Sequence, residues 1–142
     1  MNPSIQSKIH LIALRESSWY FIETSNGLVL TLNSDDDIVL SERDDEAEDN
    51  KLWRLDEDGI LHSKTGLVVD IPGSNEDAGV GLIGYHDIHG GDNQRFNFDG
   101  STIRSELNGF VFDVEEGVME EGSAIIMWPH HGGENQSFNF VS

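Results

Sequence analysis

Cysteine is absent from the 142 residues, so no disulfide framework can hold the fold together. Bases are almost as scarce: 8 Lys and Arg stand against 27 Asp and Glu, leaving a formal charge of −19. A protein that neutralises phosphates needs clustered cations, so nucleic acid and anionic membrane are excluded as partner classes. No apolar run approaches the roughly 18–20 residues that cross a bilayer, and membrane insertion is not expected. The opening Met1-Asn2-Pro3-Ser4 lacks a basic region, and the apolar stretch at 9–14 is too short and too polar for a signal peptide. A cytoplasmic location, or release by an unconventional route, is the expectation. Also missing are a serine-centred elbow, a phosphate-binding glycine loop and a His-Glu-x-x-His pair, so no enzyme is expected.

With 37% apolar residues, the chain can bury one core and is too short for two comfortable ones; residues 1–142 are expected to form a single domain. Much of the acid is concentrated in Asp35-Asp36-Asp37 and Asp44-Asp45-Glu46-Ala47-Glu48-Asp49. Neither run has the alternating oxygen ligands, central glycine and closing glutamate of a calcium loop. Like charges so close together stay hydrated, and solvated loops are the expectation.

What the chain does contain is a repeat. Gly27-Leu28-Val29-Leu30-Thr31-Leu32, Gly66-Leu67-Val68-Val69-Asp70-Ile71 and Gly109-Phe110-Val111-Phe112-Asp113-Val114 share one pattern. Each is followed by a polar loop, a short apolar segment and a closing motif of asparagine with an aromatic three residues later. The closings are Asn50-Lys51-Leu52-Trp53, Asn93-Gln94-Arg95-Phe96 and Asn135-Gln136-Ser137-Phe138, with the asparagines 43 and 42 residues apart. Periodicity of this kind decides architecture before any local reading does. Within a unit, Trp53-Arg54-Leu55, Phe96-Asn97-Phe98 and Phe138-Asn139-Phe140 alternate apolar with polar, which predicts half-buried strands. No window carries a capped stripe of 3.6-residue period. Three units, at about 9–59, 60–101 and 102–142, suit a closed all-β body in which each buries its aromatic against the other two.

These motifs resemble the Gln-x-Trp repeats of the ricin-B-type lectins, with Phe96 and Phe138 in the tryptophan position and Lys51 where the first unit would have glutamine. The resemblance runs from about Trp19 to Phe140. It implies a β-trefoil of about twelve strands with pseudo-three-fold symmetry. It further implies up to three sugar sites, in which an aspartate and an asparagine bind hydroxyls and an aromatic stacks on the ring.

The residues fit that chemistry. An ionised carboxylate replaces a sugar's hydrogen bonds to water well, an amide supplies donor and acceptor together, and a flat ring covers the C–H face. The second unit offers Asp70, Tyr85 fifteen positions on, Asn93 and then Gln94; the third offers Asp113, Trp128 fifteen positions on, Asn135 and then Gln136. Gly73, His86 and His130 are candidate rim residues. Gln94 and Gln136 are expected mainly to tie their hairpins together. The first unit has Thr31 in the aspartate position, with Glu42 near the aromatic one, so two working sites are expected. Ile83 and Ile126 stand thirteen positions after each aspartate, where the family is often polar.

The reading is a non-catalytic lectin needing no cofactor and no metal, for which the resemblance implies galactose- or N-acetylgalactosamine-type glycans, with a homodimer as one route to higher valency. Loop histidines two or three apart do not promise three or four convergent zinc ligands. The competing class is a trefoil that binds protein, as a protease inhibitor or cytoskeletal adaptor, through loops and the acidic patch.

Overall fold

The structure, a computed structural model, describes residues 18–44 and 46–142. The apolar stretch at 9–14, the start of the first sequence unit and Asp45 lie outside the described residues. Among the described residues, twelve strands and five single turns of 3-10 helix account for the regular structure. The strands are β1 (Phe21–Glu23), β2 (Leu28–Leu32), β3 (Ile38–Glu42), β4 (Trp53–Leu55), β5 (Leu61–Ser63) and β6 (Val68–Asp70). The second half adds β7 (Ile83–Tyr85), β8 (Phe96–Phe98), β9 (Ile103–Ser105), β10 (Val111–Val114), β11 (Ile125–Trp128) and β12 (Asn139–Val141). Among the described residues no helix is long and apolar enough to cross a membrane.

Hydrogen bonding gathers the strands into three four-stranded antiparallel sheets, ordered β4-β5-β6-β7, β8-β9-β10-β11 and β12-β1-β2-β3. The strands thus group in a different phase from the sequence units, because each closing motif supplies the first strand of the next sheet. The last sheet joins the two ends of the chain, pairing Phe21 with Val141 and Ile22 with Phe140. That pairing gives β1 a hydrogen-bonded neighbour on both sides, β12 and β2, so it is not an exposed edge.

Side-chain alternation decides what faces inward. In β8, Phe96 and Phe98 are buried while Asn97 points to solvent. The closing aromatics Trp53, Phe96 and Phe138 all lie in one core with Leu30, Val69 and Phe112 from the middle strands. Each closing aromatic also donates its backbone N–H across to a neighbouring segment: Trp53 to Tyr20 O, Phe96 to Gly59 O and Phe138 to Ser101 O, each at 2.8 Å. The approach at Gly59 is tight enough that a Cβ there would sit 2.8 Å from Phe96 O, so only glycine fits. The indole Nε1–H of Trp53, wholly buried, donates to Leu30 O at 3.0 Å, so the largest core side chain carries no unpaired polar atom.

Candidate functional site

The spacing of fifteen residues between aspartate and aromatic is explained by two hairpins. In one, β6 and β7 pair Val68 with Tyr85 and Asp70 with Ile83. In the other, β10 and β11 pair Val111 with Trp128 and Asp113 with Ile126. Side chains alternate across a strand, so Asp70, Ile83 and Tyr85 share one face while Val69 turns into the core. Asp113, Ile126 and Trp128 share the matching face, with Phe112 and Met127 behind them. Acid and ring are therefore diagonal neighbours in both hairpins.

The asparagine and glutamine arrive from the other side, on the 3-10 turns Asp92–Gln94 and Glu134–Gln136. Gln94 donates through Nε2 to Asp70 Oδ2 and to Asp87 O, both at 2.8 Å, while its Oε1 accepts the backbone N–H groups of His89 and Gly90. Gln136 repeats the set: Nε2 donates to Asp113 Oδ2 at 2.8 Å and Pro129 O at 3.0 Å, and Oε1 accepts from His131 and Gly132. All four bonding positions of each amide are thereby filled inside the protein. Both glutamines are buried, so they hold the carboxylate and the loop in place and present nothing to solvent. Asn93 and Asn135 donate to the strand-end carbonyls of Ile71 and Val114, each at 3.1 Å, and Asn93 adds a longer contact to Asp70 Oδ2.

Asp70 and Asp113 are each only 3% exposed. In both, every bond received among the described residues falls on Oδ2, which leaves Oδ1 without a protein partner. Each carboxylate lines an open hollow, of about 340 Å³ at Asp70 and about 560 Å³ at Asp113. Over these hollows stand two exposed aromatic side chains, Tyr85 at 37% and Trp128 at 40%. Ile83 and Ile126 supply apolar lining.

The rim differs from the sequence expectation in one respect. The imidazoles bordering the hollows are His89 and His131, not His86 and His130. The cause is backbone hydrogen bonding: Gly91 N–H donates to His89 Nδ1 at 2.9 Å and Gly133 N–H to His131 Nδ1 at 3.0 Å. With Nδ1 an acceptor, a neutral ring carries its hydrogen on Nε2, and His131 Nε2 lies 3.6 Å from Asp113 Oδ2. His86 instead packs beside the Tyr85 ring, with centroids 4.9 Å apart. The repeated spacing His89-x-x-x-Asn93 and His131-x-x-x-Asn135 was the sequence signal that identifies the right pair. Gly73 does border its hollow, at a φ of +65°.

The third-unit counterpart of Gly73 is Glu116, held at a φ of +59°. That left-handed conformation suits glycine and strains a residue with a side chain. Exchanging Glu116 for glycine is expected to raise stability by about 0.5–1 kcal/mol, read as a higher urea midpoint. A lower midpoint would show that the glutamate side chain contributes a contact outweighing the strain.

The first unit has none of this apparatus. Opposite Val29, in the place of Tyr85 and Trp128, stands Ser41; Glu42 is one residue further along, opposite Leu28. The hydroxyls of Thr31 and Ser41 bond each other, and Lys51 Nζ bonds Glu42 O at 2.8 Å and Asp44 at 3.0 Å. Only Asn50 keeps its counterpart's bond, donating to Leu32 O at 3.0 Å. The hollow there has neither a buried carboxylate nor an aromatic ring in its lining. Among the described residues, no group of three or more His, Asp and Glu side chains is placed to hold a metal ion.

A family model for the ricin-type beta-trefoil lectin domain matches residues 17–138. Among solved structures, the designed three-fold symmetric protein ThreeFoil superposes with a TM-score of 0.76 at 23% identity, covering 87% of this chain and 98% of that one. The C-half of the earthworm R-type lectin, solved in complex with GalNAc, gives 0.73 at 23% identity, with coverage of 87% and 98%. An exo-beta-1,3-galactanase from Clostridium thermocellum gives 0.74 at 28% identity, covering 88% of this chain and 30% of that enzyme. A search of curated protein sequences finds no match.

Proposed function

This chain belongs to the ricin-type β-trefoil lectin family, whose domains bind carbohydrate, and from that premise we propose that it reversibly binds galactose- or N-acetylgalactosamine-type glycans in two hollows, at Asp70 and at Asp113. The observation that carries the reading is the pair of buried carboxylates, each with an oxygen that no group among the described residues bonds, each lining a hollow overlooked by an exposed ring. A desolvated anion without a full set of partners is costly, and a sugar hydroxyl donating to Oδ1 supplies the missing bond. Tyr85 and Trp128 then cover the C–H face of the ring. His89 and His131 offer Nε2–H to a hydroxyl oxygen, and the side-chain oxygens of Asn93 and Asn135 remain open to a hydroxyl hydrogen. Nothing in the arrangement requires a bond to be made or broken. The GalNAc complex of the earthworm lectin supports the choice of sugar class.

A single shallow hollow of this kind is expected to bind a monosaccharide with a dissociation constant of about a millimolar, or about −4 kcal/mol. Two hollows on one rigid body gain avidity on clustered glycans. The direct test is retention on galactose-agarose with elution by free galactose. Passage straight through, for galactose and N-acetylgalactosamine matrices alike, overturns the assignment and is what a protein-binding trefoil would do. Trp128→Ala and Tyr85→Ala are each expected to weaken their own hollow roughly 5- to 50-fold, the loss of about 1–2.5 kcal/mol of ring contact. Because both rings are solvent-exposed, neither exchange should shift the melting temperature by more than a degree or two. Unchanged titration of the Asp113 hollow in the Trp128 variant would remove that ring from the site.

A further inference from the structure

The two hollows share their carboxylate, ring and amide but not their charge. Two, three and four residues beyond Asp70 the rim is Pro72, Gly73 and Ser74; at the same places beyond Asp113 it is Glu115, Glu116 and Gly117. Both glutamates are exposed and both line the larger hollow, which has no lysine or arginine in its lining. Asp113 beneath them keeps Oδ1 unpartnered while 97% withdrawn from solvent, so the carboxylates above and below act on the same space. The twin hollow fixes a baseline, since its rim is uncharged. A strained backbone accommodates Glu116 where the twin uses glycine, so the negative rim is not a by-product of the turn.

Building on the sugar-binding reading above, we infer that the Asp113 hollow selects sugars by charge, favouring those with a free, protonated amino group and disfavouring those with a carboxylate or sulfate. The Asp70 hollow, with one carboxylate where this one has three, makes the distinction more weakly. A hexosamine ammonium seated over Trp128 would face Asp113, Glu115 and Glu116, whereas N-acetylation removes the charge and a uronic acid reverses it. Attraction between partly solvated charges is modest and screened by salt, so the preference belongs to low ionic strength.

The experiment is a per-site NMR titration of the full chain with galactose, galactosamine, N-acetylgalactosamine and galacturonic acid. The Trp128 indole N–H reports the larger hollow, and the Gly73 and Ser74 amides report the smaller. At about 20 mM salt, galactosamine should bind the Asp113 hollow roughly two- to five-fold more tightly than galactose, and galacturonic acid correspondingly more weakly. Both ratios should shrink towards one in 0.5 M salt. In an E115Q/E116Q variant the amine-to-neutral ratio at the Asp113 hollow should fall to that of the Asp70 hollow, whose own ratio the substitutions leave unchanged. Equal affinities at the Asp113 hollow for galactose and galactosamine, with galactose bound, overturn this inference and leave the sugar-binding reading standing. No shift at either reporter with any of the four sugars overturns both.

Discussion

A chain carrying both Asp70→Asn and Asp113→Asn is expected to lose retention on galactose-agarose while its unfolding free energy, read by urea titration, changes by less than about 1.5 kcal/mol. The reason lies in which oxygen the protein uses. Gln94 and Gln136 donate to Oδ2 of their aspartates at 2.8 Å, so the amide of an introduced asparagine must turn its oxygen towards the glutamine to keep that bond. Its NH2 group then occupies the Oδ1 position and faces the hollow. An acceptor for sugar hydroxyls becomes a donor, and the charge that strengthened the bond is gone. Losing a hydrogen bond to a charged group is worth about 1.5–3 kcal/mol, or roughly 10- to 150-fold in affinity per hollow. Starting from about a millimolar, that places binding beyond ordinary detection. Alanine is the less informative exchange, because it leaves a buried glutamine N–H without its acceptor and so mixes a folding effect with a binding one. Near-wild-type retention by the double asparagine variant, with a native fluorescence spectrum, would falsify the role given to these carboxylates.

The legible part of the site follows from strand pairing, and the illegible part from loops. Asp70 to Tyr85 and Asp113 to Trp128 span hairpins of equal length, so register in the sequence becomes register in space. The closing motifs were legible for the same reason, since Trp53, Phe96 and Phe138 must recur at the core whenever three units close on one another. His89 differs from His86 in that its ring nitrogen accepts a backbone N–H, and the signal that marks it is the four-residue spacing to Asn93, repeated at His131 and Asn135, rather than any local composition. Counting back from Asn50 leads to Glu42, one residue past Ser41, because Ser41 stands nine positions before its asparagine where Tyr85 stands eight and Trp128 seven. The rim glutamates follow a strand end and would be read from sequence as two more members of an acidic surface. Only the hollow distinguishes Glu115 and Glu116 from the exposed acids around them.

Truncation of Phe112 to alanine is expected to destabilise the fold by about 3–5 kcal/mol, the usual result of emptying a buried aromatic site. Phe112 is wholly buried and meets Phe96 edge-to-face at 5.2 Å and Phe138 at 6.3 Å, so one side chain packs with the closing aromatics of two sequence units. The corresponding positions carry Leu30 and Val69, smaller residues that leave the space Phe112 fills. The core is thus three-fold in backbone and one-sided in volume, and the surrounding side chains have no spare bulk with which to collapse into the gap. For a domain of this size the loss corresponds to a melting temperature lower by roughly 6–20 °C. A urea titration followed by fluorescence of Trp53, buried in the same core, reads it directly. Phe112 is also the residue before Asp113 on β10, so its loss should loosen the hairpin beneath the larger hollow while leaving β6 and β7 intact. Galactose affinity should accordingly fall more at the Trp128 reporter than at Gly73. A loss of unfolding free energy under about 1 kcal/mol would mean that the two neighbouring phenylalanines close the gap by themselves, and that this core is packed far less tightly than protein interiors generally are.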